Sequence, residues 1–263
     1  MKLVNFSAAI LLFPAMLFAA APAAAPAAPA ISLDEYVTFQ ISFDESVDVD
    51  IATGSAELKQ QAHEDIRDGY QYVDGIKGKA LYNTDPRGFV RRYAIQDNLD
   101  FEKPGTISMW IKPVKWEKLT PDSPKQPNGR YNTITTPFFM TSWAQNGYIV
   151  LERACPELLE NPERVRLLFP GFKNVLGYYE KHFTWEDNKW YNIVLTWNGY
   201  DYTVYINGEV AIAAAHKEKL KASDMAATFE VRPNPGMVLD EFTVYNKAFS
   251  PEELKAMYNQ NKK

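Results

Sequence analysis

A chain of 263 residues, 46% hydrophobic and 14% aromatic, is long enough to bury a sizeable core within one large domain. Its formal net charge of -5, without a basic run, lacks the term that drives nucleic-acid binding and argues against such a partner. A single cysteine, Cys155, excludes an intramolecular disulfide, so the fold must rely on its core.

The chain opens MKLVNFSAAILLFPAMLFAA, with Lys2 ahead of an apolar run, and continues into the small-residue tract APAAAPAAPA. This layout predicts a secretory signal peptide and Ala/Pro leader over residues 1–30, with cleavage sites at Ala21-Pro22-Ala23 or Ala28-Pro29-Ala30. A membrane-spanning anchor fits less well, because Pro14 breaks the run and no charged stop follows. Export without disulfides points to a bacterial-type envelope, periplasmic or extracellular protein, with one domain over residues 31–263. Cys155, between Ala154 and Pro156, lacks the context of a nucleophile and reads as a buried or incidental thiol.

Tyr36 to Phe43 alternates as a first strand, and the acidic, polar stretch from Ser46 to Tyr70 reads as an excursion with a short helical turn near Ala56 to Gln61. Gly75 to Gly78 forms a turn feeding Lys79 to Tyr82, and Gly88 opens a short strand through Tyr93. Thr106 to Lys112 is a strong strand, followed by a Pro-rich inserted loop from Val114 to Pro137. Phe138 to Trp143 and Tyr148 to Arg153 form a hairpin, then Val165 to Phe169 and Tyr178-Tyr179 lead into Trp190 to Val210. That stretch, WYNIVLTWNGYDYTVYINGEV, alternates through Asn198-Gly199 and Asn207-Gly208 and predicts a β-meander with tight turns. Met237 to Tyr245 is the last strong strand. Ser250-Pro251-Glu252-Glu253 is a capping box that starts a terminal helix with Leu254, Met257 and Tyr258 on its docking face.

GIKGKAL (Gly75 to Leu81), TISMWIKP (Thr106 to Pro113), KWYNIVLTWNG with YINGE, and LDEFTVYNKAFSPEEL (Leu239 to Leu254) together resemble the laminin-G-like domains of the concanavalin A-like lectin/glucanase superfamily. The resemblance runs from Tyr36 to Tyr258 and implies an all-β, two-sheet antiparallel jelly-roll sandwich with one short C-terminal helix. It also implies a structural calcium ion between the end of the first strand and the start of the last, where Asp44 and Asp240 match. The alternative for these two is a turn cap at Asp44 and a solvent-facing Asp240. The chain departs from the family after Leu81, where Tyr82-Asn83-Thr84-Asp85-Pro86-Arg87-Gly88 and an Arg pair stand, so the ligand does not follow from the resemblance.

Glycan-cutting members of such a superfamily carry carboxylates alternating along one strand; this sequence has none, and Asp240 and Glu241 are adjacent and face opposite ways. His63, His182 and His216 have no metal-ligand spacing. Phe39, Phe43, Trp110, Tyr191, Trp197 and Phe242 read as core. Trp143, Tyr148, Tyr178, Tyr179 and Trp185 lie near hairpin ends or polar loops, where a ring could stack on a sugar while Asn146, Arg153 or Arg166 supplies hydrogen bonds. The same aromatics could instead seal the sandwich edges. Arg91, Arg92, Arg153, Arg164 and Arg166 would suit acidic glycans if they converge on one sheet. The expected role is non-catalytic recognition of an extracellular carbohydrate or glycoconjugate. The alternatives are a structural or adhesive component that binds an envelope protein and, third, a glycan hydrolase or lyase.

Overall fold

Alternating strands with one apolar face must bury that face, and here two sheets bury theirs against each other. The computed structural model describes residues 33–61, 69–84, 90–116, 122–123, 134–141, 148–155, 163–169, 177–216, 220 and 227–262. The signal peptide and leader lie outside the described residues. The first half of the chain contributes β1 (Val37–Ile41), β2 (Ile51–Ala52), β3 (Gln60–Gln61), β4 (Tyr70–Asp74), β5 (Lys79–Asn83), β6 (Arg91–Ala94), β7 (Gly105–Pro113) and β8 (Ile134–Thr141). The second contributes β9 (Val150–Cys155), β10 (Arg164–Phe169), β11 (Gly177–His182), β12 (Tyr191–Asn198), β13 (Asp201–Ile206), β14 (Glu209–Ala215), β15 (Thr228–Val231), β16 (Met237–Tyr245) and helix α1 (Pro251–Asn261).

The larger, nine-stranded sheet runs β14-β13-β12-β7-β16-β1-β2, with the β4–β5 hairpin joined to it through β16. The seven-stranded sheet runs β11-β10-β9-β8-β15-β6-β3, and every pairing in both sheets is antiparallel. The two-sheet antiparallel sandwich with one C-terminal helix is therefore the fold. Near Ala56 to Gln61 the expected helical turn is absent; this stretch enters β3, because Lys59 N–H donates to the Arg92 carbonyl and draws it onto the smaller sheet.

The meander shows how local sequence sets register. Trp197 pairs with Tyr202 and Asn198 with Asp201, so the first loop is Gly199-Tyr200, with glycine alone in the left-handed region. Asn198 is thus a strand residue rather than a turn residue. The second loop is Asn207-Gly208, and both residues have positive φ, as a type I′ turn requires.

The core between the sheets is aromatic. Phe39, Tyr93, Phe139, Phe229 and Phe242 pack as one cluster, with ring centroids 5.0–6.3 Å apart. A second cluster joins Trp116, Phe138, Phe183, Trp185 and Tyr191 at 4.5–6.0 Å. Flat rings contribute much apolar area per side chain, which suits a chain with one thiol, and Cys155 is buried and free.

Helix α1 covers part of the outer face of the larger sheet. Ser250 Oγ accepts from Glu253 N–H at 3.2 Å, and Glu253 accepts from Ser250 N–H at 2.8 Å, so both halves of the capping box form. Leu254 and Met257 are buried against Val194, Tyr205, Tyr245 and Phe249, while Tyr258 stacks on Trp110 with centroids 5.8 Å apart. Among the described residues no helix is long and apolar enough to cross a membrane. Leu254→Asp forces a charge into this contact and is expected to lower unfolding free energy by about 3–5 kcal/mol, read as a fall in the urea midpoint. An unchanged midpoint would show that the helix adds nothing to the sandwich.

Candidate functional site

Three places on the sandwich collect functional groups: the gap beside β16, the outer face of the smaller sheet, and an open cleft at one end. The gap arises from pairing. On its β1 side, β16 is bonded to β1 over Phe242 to Tyr245 and to β5 at Val238 and Leu239, so Asp240 stands where one neighbour ends and the other begins. Backbone N–H groups there lack a ladder partner, and carboxylates supply one. Asp240 Oδ2 accepts from Ile76 N–H at 2.6 Å, and Asp44 Oδ1 accepts from Lys79 N–H at 2.7 Å. The turn between them is tight: a Cβ on Gly78, at φ +38, would come within 1.8 Å of Asp44 Oδ1.

Asp240 is 0% exposed, which corrects the solvent-facing alternative, and its Oδ1 has no hydrogen-bond partner. Burial pushes its carboxyl up to about 7; the Ile76 amide opposes this, while the Glu241 charge adds to it. An orphaned buried oxygen is what a hard cation would complete, and the carbonyls of Lys77 and Lys79 crowd the same turn at Gly75, with Asp44 at its other end beside Gly78. These oxygen donors fit calcium in kind. Among the described residues, no group of three or more His, Cys, Asp or Glu side chains comes together as a metal site, so further ligands would have to be backbone carbonyls or water.

On the smaller sheet the predicted arginines do share one sheet, but glutamates meet them. Arg92 pairs with Glu230 at 2.7 Å, Glu230 also accepts from Arg232 at 2.6 Å, Arg166 pairs with Glu152, and Arg164 with Glu180. Register explains the ladder: Arg92 lies opposite Glu230, and Arg166 lies between Glu152 and Glu180. Burial raises the Glu152 carboxyl, and the Arg166 guanidinium opposes that shift. Beside the ladder, Met140, Val150 and Leu168 form an apolar strip against which Tyr148 packs. The acidic-glycan expectation weakens accordingly, because the positive charge is matched in place.

Other predicted ligand residues are structural. Arg153 is 1% exposed, lies with its guanidinium 5.0 Å from the Trp116 ring centre and pairs with Glu163, so it points into the sandwich rather than out of it. Trp185, 2% exposed, belongs to the second aromatic cluster and offers no face to a sugar. Tyr179 packs on Phe169, and its hydroxyl donates to the Ala215 carbonyl at 2.8 Å, closing one side between the sheets. Lys181 donates to the Val210 carbonyl at 3.4 Å on the same edge strand. Trp143 and Asn146 lie outside the described residues, as does the Tyr178 side chain.

The sequence reading missed the end cleft. It has a volume of about 950 Å³ and is walled by residues 95–100, 102–104, 197–198 and 244–248 with Tyr36, Thr38 and Thr53. Asn98, buried, builds one wall: its Oδ1 accepts from Gly54 N–H at 2.8 Å, and its Nδ2 donates to the Ser55 and Ala94 carbonyls. Trp197 Nε1 donates to the Asp100 and Lys103 carbonyls, anchoring the floor. Asp97, Asp100, Asn198 and Asn246 remain exposed around the opening. The one local signal was the left-handed backbone of Asp97, at φ +63, within an Asp-Asn turn.

The model of the concanavalin A-like lectin/glucanases superfamily, of the Laminin_G_3 type, matches residues 159–255. No curated protein sequence matches the chain. The botulinum neurotoxin serotype D binding domain aligns with a TM-score of 0.60 and 14% identity, over 87% of this chain and 52% of that one. The receptor binding domain of the mosaic serotype C/D neurotoxin gives 0.60 and 15% identity, over 87% and 52%. The binding domain of Paraclostridial Mosquitocidal Protein 1 gives 0.58 and 19% identity, over 87% and 53%. The chain spans about half the length of these structures, and at such identities the likeness is one of fold. Residues 159–255 are thus similar to the laminin-G-like members of the concanavalin A-like superfamily, and the described residues form a two-sheet antiparallel β-sandwich.

Asp240 makes stability depend on pH. Its folded pKa, raised from 3.8 to about 7, means the native state keeps a proton that the unfolded chain has released. In metal-free protein its contribution therefore falls as pH rises from about 4 to about 7 and is flat above, a loss of up to about 4 kcal/mol. Asp240→Asn should remove that slope. Urea titrations of both proteins at pH 5 and pH 7.5 measure it, and parallel losses in the two would clear Asp240 of the effect.

Proposed function

We propose that this is an exported, non-catalytic recognition domain that binds an extracellular carbohydrate or glycoconjugate. The observation that carries the reading is the end cleft, whose rim offers a carboxylate at Asp97, a second at Asp100 that Glu102 N–H and Lys103 also hold, and amides at Asn198 and Asn246 that both donate and accept. A sugar hydroxyl also does both, so such a rim matches a polyhydroxylated ligand, and about 950 Å³ has room for a short oligosaccharide. Binding is favoured over hydrolysis because the carboxyl pushed up to about 7, Asp240, is buried in the larger sheet and is not among the cleft walls. Export rests on the N-terminal layout, and the recognition role agrees with neighbours that are themselves named as binding domains.

Glycan-array binding tests the site. Asn198→Ala and Asn246→Ala should each weaken a positive signal about tenfold, about 1.4 kcal/mol for a lost hydrogen bond. Tyr148→Ala, on the smaller sheet, should leave it unchanged. Loss only with Tyr148→Ala would move the site to that sheet, and no sugar binding with recovery of an envelope protein in a pull-down would favour the adhesive alternative.

Asp44 and Asp240 are proposed to hold a structural calcium ion, which would tie the first strand to the last and, by binding only the folded state, add to its stability. The support is the unpartnered Asp240 oxygen. Excess calcium over chelator should raise stability by about 2.7 kcal/mol at a hundred times the dissociation constant, with most of the gain lost in Asp240→Ala. Coincident melting curves would remove the metal.

A further inference from the structure

A second, smaller cavity of about 120 Å³ lies on the outer face of the larger sheet, beneath helix α1. Ser108, Asn192 and Thr243 line its floor from neighbouring strands, Trp110 and Met257 give it apolar walls, and exposed Asp34 and Lys77 mark its mouth. Glu241 completes the lining, and its backbone is anomalous: it sits inside a strand at φ +50, a left-handed conformation that a long side chain adopts only under strain. Glycine would hold the same bulge without that cost. Glu241 is also mostly buried and pairs with Lys77 at 3.2 Å, so its carboxylate is aimed and anchored rather than free to sweep through solvent. Strain held at a cavity, beside a β-bulge, marks a residue kept for what its side chain does there.

The donor pattern defines the ligand. Ser108 Oγ accepts from Asn192 Nδ2 at 3.2 Å and so keeps its own proton to donate inward, while Glu241 has one carboxylate oxygen beyond that engaged by Lys77. A water occupies roughly 10–15 Å³ of such space, so the cavity takes about ten non-hydrogen atoms, close to one hexose ring. Interleaved donors and acceptors with one aromatic wall fit a neutral ring bearing hydroxyls better than a charged or wholly apolar molecule. We propose that this cavity binds a single neutral sugar ring, with Glu241 and Ser108 as its specificity-determining contacts. The choice of ligand rests on the carbohydrate reading above; the site is separate from the end cleft.

The test titrates isotope-labelled protein with methyl glycosides of glucose, galactose, mannose and N-acetylglucosamine and follows backbone amide shifts. At least one glycoside should shift Ser108, Asn192 and Thr243 saturably. Glu241→Gly should weaken that binding at least tenfold while melting at the same or a higher temperature, since glycine relieves the strain; Ser108→Ala supplies the same reading should Glu241→Gly fail to fold. Shifts confined to residues 96–103 and 198, or undiminished binding by both variants, would overturn the cavity while leaving carbohydrate recognition intact. Silence at both sites together with a blank glycan array would remove both.

Discussion

The larger sheet depends on how β16 is bordered at Asp240. On one side β16 has a single partner, β7, along its length; on the other it is shared between β1 and β5, and at the join the buried Ile76 amide takes the Asp240 carboxylate as its acceptor. A buried peptide N–H without a partner costs about 1–3 kcal/mol, so a carboxylate that accepts it is an economical repair even though burying that carboxylate is itself unfavourable. The repair needs Asp240 turned into the gap, and a bulge provides this. Met237 and Leu239 face the core before it, Phe242 and Val244 after it, so the alternation shifts by one residue across Asp240 and Glu241. Without that shift Phe242 would leave the core, where it meets Phe39, Phe139 and Phe229.

Charge on the smaller sheet is handled differently. Its outer face alternates apolar side chains with arginines and glutamates in register, and each acidic side chain buried there has a guanidinium on a neighbouring strand or close along its own. Buried pairs of this kind gain little net stability over apolar residues, yet removing one partner strands the other. They therefore fix strand register more than they add energy: a slip of one residue would set Arg166 opposite Leu151 or Arg153 and take Glu152 away from its partner.

Much of this fold was legible because period-two patterning, Asn-Gly turns and a capping box are local signals. β16 and α1 fall where the sequence places them, β7, β10 and the first two meander strands within a residue or so, while β14 runs on to Ala215, past the Val210 end of the meander. What failed was nonlocal. Trp185 follows His182-Phe183-Thr184 in a polar-looking stretch, but Trp116, Phe138 and Tyr191 enclose it from three other parts of the chain. Arg153 read as a ligand residue because strand alternation alone gives no sign that Glu163 and Trp116 wait on the inner face. The end cleft was invisible for the same reason, being assembled from five separated stretches of chain, none of which signals a cleft by itself.

The two outer faces leave recognition few places to occur. The smaller sheet's outer face is neutralised by its own ion pairs, and the larger sheet's is partly roofed by α1, whose Tyr258 lies on Trp110 and whose Leu254 and Met257 close over Val194 and Tyr205. Polar groups not taken up by the strand ladders therefore gather where strands end and loops begin, or where the bulge interrupts a strand. Adjacent Asp240 and Glu241 show the division within one peptide bond. The first turns inward and holds the sheet join together, and the second turns outward beneath the helix at the cost of a left-handed backbone. A bulge needed for assembly thereby presents a carboxylate that assembly itself does not require, and it is there that the fold has freedom to acquire a ligand.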